Sequence, residues 1–75
     1  MFDTTNILTP IPGRFVCGCM TPSEKDAEMI VARFLMSVRM ANGAASLYRK
    51  GCVVFVDTPS YNLTVDLAQR LNNSI

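Results

Sequence analysis

Three cysteines, Cys17, Cys19 and Cys52, carry the broadest chemistry in this 75-residue chain. In a strand, the spacing Cys17-Gly18-Cys19 puts two thiols on one face. A neighbouring strand carrying Cys52 would bring a third sulfur to them. A structural zinc site wants four ligands, usually Cys and His. The chain has no histidine, and the nearest carboxylate, Asp57, stands where a strand should end. The cysteines therefore read as buried, inert thiols, with no metal and no cofactor expected.

The lack of histidine also removes the commonest general base and most nucleophilic triads. Gly18, Gly43 and Gly51 are isolated and form no phosphate-binding loop. Ser60 and Tyr61 have no evident base or oxyanion donor. Glu24, Asp26 and Glu28 fall in the first turns of a helix, where its dipole favours acids in any case. No catalytic residue is assigned, and the expectation is that the chain is not an enzyme.

Binding is better supplied. At 100° per residue, Met29, Met36 and Met40 line up in a narrow stripe with Ala32, rimmed by Lys25, Arg33 and Arg39. Methionine is unbranched and polarizable, so a row of them edged by cations suits an adaptable protein contact. Met29, Arg33, Met36, Arg39 and Met40 form the candidate partner-binding set. The competing expectation is that the N-terminal segment covers the stripe with Phe2, Ile7 and Leu8. A second candidate set, Tyr48, Arg49 and Lys50, sits where a hairpin tip could touch phosphate or stack a base, with Arg14 assisting. Seven Lys and Arg against six Asp and Glu leave a net charge of +1, so nucleic acid is not the expected partner.

The elements that must position these residues follow from punctuation and periodicity. Pro10 and Pro12 exclude a helix or central strand, which makes 1–13 an extended arm. Residues 14–75 then form one domain. Residues 14–20 read as a strand. Thr21-Pro22-Ser23-Glu24 reads as a helix start, with Thr21 capping and Glu24 closing the capping box. The helix runs to Ala41 and stops at Asn42-Gly43. Its core face is Ala27, Ile30, Val31, Phe34, Val38 and Ala41. Ser46–Arg49 and Cys52–Val56 are two strands around a turn at Lys50-Gly51. A second helix follows Thr58-Pro59-Ser60 to about Asn72, a start that repeats the chemistry of the first. The run from Cys52 to Val56 is apolar throughout, which suits a central strand. The fold class is α+β, with order β-α-β-β-α. The three-stranded antiparallel sheet takes order 1-3-2, with two helices on one face and the arm outside.

Composition narrows the function. Hydrophobic residues make up 49% and charged residues 17%, against ~25% charged in ordinary domains. Two helices cover only one sheet face, and the arm is too short to cover both the other face and the methionine stripe. An apolar patch is left over, so a partner protein or a homodimer is expected. No run approaches the ~20 apolar residues of a membrane span. The first residues are not a basic stretch followed by an apolar run, so reduced thiols in a cytoplasm are expected. The expected function is a small protein-binding module, an adaptor or inhibitor that occupies a partner's surface. A phage or mobile element is its expected source, and a host protein complex its expected target. The alternatives are a small nucleic-acid binder and a self-associating structural protein.

Overall fold

The structure is a computed structural model that describes residues 2, 6–41 and 45–74, without the side chains of 37–41 and 74. Five elements follow one another: β1 (Phe15–Met20), α1 (Glu24–Ala41), β2 (Ser46–Lys50), β3 (Val53–Thr58) and α2 (Tyr61–Ser74). The strands form one antiparallel sheet in the order β1-β3-β2, as the sequence predicts. The apolar β3 is central and pairs on both edges.

Register sets what each sheet face carries. Cys17 lies opposite Val56, which lies opposite Leu47, and Cys19 lies opposite Val54. These five residues are buried and join Ala27 of α1 and Leu67, Ala68 and Leu71 of α2 in one cluster. Ile30, Val31, Phe34 and Leu35 pack against it half-buried. Of the predicted core face, Val38 and Ala41 lie outside the described side chains. The other sheet face carries the row Gly18, Phe55, Tyr48 and the row Met20, Val53, Lys50. No helix covers it.

Both helices start by one device, though not quite the predicted one. Ser23, rather than Thr21, is the cap. Its Oγ accepts from the Asp26 amide at 3.2 Å and donates to the Asp26 carboxylate at 3.0 Å. Pro22 thus precedes the helix, and the box closes on Asp26 instead of Glu24. The Thr21 hydroxyl is turned inward, 2.7 Å from the Ser23 carbonyl and 2.6 Å from that of Cys52. At the second start Ser60 Oγ accepts from the Leu63 amide at 3.3 Å, and the Thr58 hydroxyl donates to the Ser60 carbonyl at 2.7 Å. In each Thr-Pro-Ser, a buried threonine closes the turn and an exposed serine caps the helix.

The hairpin between β2 and β3 closes over Gly51 and Cys52. Gly51 takes a φ of +62°, the left-handed value a two-residue loop needs at its first position. Cys52 therefore belongs to the turn and not to β3, because a tight turn needs two residues outside the ladder. Lys50 moves into β2 for the same reason.

The arm is built into the fold. Leu8 and Val16 exchange two backbone hydrogen bonds of 2.8 Å on the outer edge of β1. Phe2 is 4% exposed and belongs to the core cluster. The Asn72 side chain clamps its backbone, accepting from the Phe2 amide at 2.7 Å and donating to its carbonyl at 2.9 Å.

Candidate functional site

The described arm residues dock on β1 and α2, with Leu8 on β1 and Phe2 held by Asn72. Met29 is 61% exposed and Met36 70% exposed. The expectation that Phe2, Ile7 and Leu8 cover the stripe does not hold at these two positions. Phe2 is drawn instead into the main core, where its whole ring leaves water. Arg39 and Met40, the remaining residues of the stripe, lie outside the described side chains.

Beside the stripe, between α1 and the end of β1, runs a groove of about 730 Å3. Buried Cys19 and half-buried Ile30 and Phe34 line its inner part, and exposed Met20, Pro22 and Met29 line its outer part. Met20 is 75% exposed, which adds apolar surface to the rim. Among the described residues the groove has two charged ones, Asp26 and Arg33. Arg33 holds its guanidinium 5.4 Å from the centre of the Phe34 ring. A cation laid on that face keeps its charge at the rim while covering the ring edge. Met20 was read from the sequence only as the last residue of a strand. Its place beside Met29 depends on the path from Thr21 to Ser23, which the chain pattern does not reveal.

The second candidate set is divided by the sheet. Arg49 points to the helix face, where its guanidinium donates to Glu28 at 2.7 Å and to the Gly51 carbonyl at 3.0 Å. Tyr48 points to the open face and stacks on Phe55, with centroids 5.4 Å apart and planes 28° from parallel. The Phe55 ring lies across Gly18, where an added Cβ would meet it at 3.2 Å. Arg14 is held at the end of the same face by Asp57, at 2.8 Å. Partial burial raises the Tyr48 phenol above its ordinary value. The Asp57 carboxylate adds to that rise and Arg14 opposes it. These residues make a short aromatic shelf with paired charges and no basic groove.

The sulfur cluster does not form. Cys17 and Cys19 are buried on the helix face and Cys52 is in the turn, where its carbonyl receives the Thr21 amide at 2.9 Å. Among the described residues no group of three or more His, Cys, Asp or Glu is placed to hold a metal. No described helix is long and apolar enough to cross a membrane. Every buried side-chain polar atom among the described residues has a hydrogen-bond partner, so none is left aimed at a ligand.

No known protein family, curated protein or solved structure matches this chain.

Proposed function

We propose that this chain is a small protein-binding module, an adaptor or inhibitor that presents the outward side of α1 and its groove to a partner. The observation that carries the reading is that Met20 and Met29, 75% and 61% exposed, line one groove with an apolar floor, and that Met36, 70% exposed, extends the apolar surface two turns further along α1. Apolar surface gathered in this way marks an interaction site, whereas single exposed hydrophobics are ordinary. Methionine supplies contact area that adapts to the partner's shape. The three cysteines are thiols, with two of them buried, which fits a reducing compartment such as a cytoplasm. The nucleic-acid reading ranks lower because Arg49 and Arg14 are engaged by Glu28 and Asp57.

The test joins a melting curve to a binding assay on Met36→Glu. A substitution at so exposed a position costs within ~0.5 kcal/mol, so the fold and melting temperature should stay close to wild type. Association with the partner recovered from the native host should be lost, because an unpaired charge at an interface centre is costly. Equal binding by the variant would sink the reading.

A further inference from the structure

The groove carries opposite charges at its two ends in a pattern that complements itself. Asp26 and Arg33 are seven residues apart, so they stand on nearly the same edge of α1, ~10.5 Å from each other along its axis. Met29 and Ile30 lie midway between them. No ion pair among the described residues engages Asp26 or Arg33. Three other pairs, Arg14–Asp57, Arg49–Glu28 and Arg70–Asp66, are formed.

We infer that the occupant of this groove is the α1 helix of a second copy of the chain, docked antiparallel about a twofold axis between Met29 and Ile30. A twofold interface applies one patch to itself, so residue i meets j and j meets i. An axis at that point exchanges positions 26 and 33. Asp26 of each copy then faces Arg33 of the other, giving two ion pairs around an apolar centre. The same operation carries Met36 of one copy onto the shoulder at Pro22 and Ser23 of the other. Exposed Met20 flanks that shoulder. Antiparallel packing also opposes the two helix dipoles favourably. A foreign helix would have to supply this charge order by itself, whereas a second copy supplies it automatically. The inference rests on the reading of this face as a docking surface and names its occupant.

Sedimentation equilibrium on the whole chain tests it. The wild type should be a dimer in the micromolar range. Arg33→Asp should weaken the dimer on the order of tenfold or more, since it sets acid against acid twice. Asp26→Arg should do the same with base against base. Mixing the two single variants should restore a dimer of wild-type affinity, because each new side chain then meets its opposite in the other variant. If Asp26→Arg unfolds through loss of its bond to Ser23, Arg33→Asp mixed with Asp26→Asn provides the comparison. That mixture should associate better than Arg33→Asp alone.

A monomeric wild type, or a dimer indifferent to both substitutions, overturns the inference. A monomer that still captures a foreign chain through Met36 overturns it while leaving the docking reading intact. Indifference to Met36→Glu in both assays overturns that reading as well.

Discussion

Phe2 tests whether the arm is part of the fold or only lies on it. Its ring is 4% exposed inside the same cluster as Leu67, Leu71 and Val54, so Phe2→Ala removes a fully packed aromatic at a cost of about 3–5 kcal/mol. In a domain of this size 1 kcal/mol moves the melting midpoint by ~4–8 °C, so the drop should be about 12–40 °C. Asn72→Ala removes two partly buried hydrogen bonds, each contributing about 0.5–1.5 kcal/mol. The two changes should not add. Once the ring is gone the arm is released and Asn72 has nothing to hold, so the double variant should resemble Phe2→Ala. A coupling of about 1 kcal/mol or more is the expected sign. Thermal and urea denaturation of the four proteins, each followed by circular dichroism, measure the drop and the coupling. A Phe2→Ala midpoint within ~4 °C of wild type would refute the reasoning, since that is under 1 kcal/mol. Strict additivity would show that the clamp holds the arm without the ring.

Two further outcomes are expected. Thr64 is fully buried, with its hydroxyl 3.0 Å from the Phe15 carbonyl and 2.8 Å from the Thr58 hydroxyl. Thr64→Val keeps the shape but leaves those groups short of a partner, and should lower the urea midpoint by an amount equal to about 1–3 kcal/mol. Tyr48 carries a raised phenol pKa, chiefly from burial and then from Asp57. The folded state therefore holds its proton more tightly than the unfolded one, so this stabilisation is complete below the unfolded value and is lost as pH climbs through the folded one. Stability should fall above about pH 10, and Tyr48→Phe should flatten that slope. An unchanged slope in the variant would assign the loss to other groups.

Some features of this protein are determined locally, and these were legible in the chain. The apolar run from Val53 to Val56 suits a central strand, which is the place β3 takes in the order β1-β3-β2. Period-2 alternation separates Val54 and Val56 from Val53 and Phe55, and the Gly51 turn sets the hairpin register. The Thr-Pro-Ser starts place both helices, although which hydroxyl caps was settled by burial. Thr21 and Thr58 turn inward to meet the Cys52 and Ser60 carbonyls, leaving the serines outside to cap. The alignment of Met29 and Met36 on one side of α1 was visible as a helical period, since 100° per residue needs no tertiary information, but their exposure was not.

What lies against each face was decided only by the tertiary structure. Arm residues as apolar as Phe2 and Ile7 could have packed on α1. The place of Phe2 follows from a partner 70 residues away, since the Asn72 side-chain amide both accepts from and donates to its backbone. Cys52 missed the other sulfurs by one turn position, a shift too small for strand periodicity to detect. Arg49 and Tyr48 are adjacent in sequence, yet one pairs with Glu28 and the other stacks on Phe55, since neighbours in a strand point to opposite faces. The groove joins Met20 to Met29 and sets Asp26 against Arg33 across Ile30. Periodicity ranks the side chains of a single helix, but the space beside that helix belongs to whatever the rest of the chain leaves uncovered.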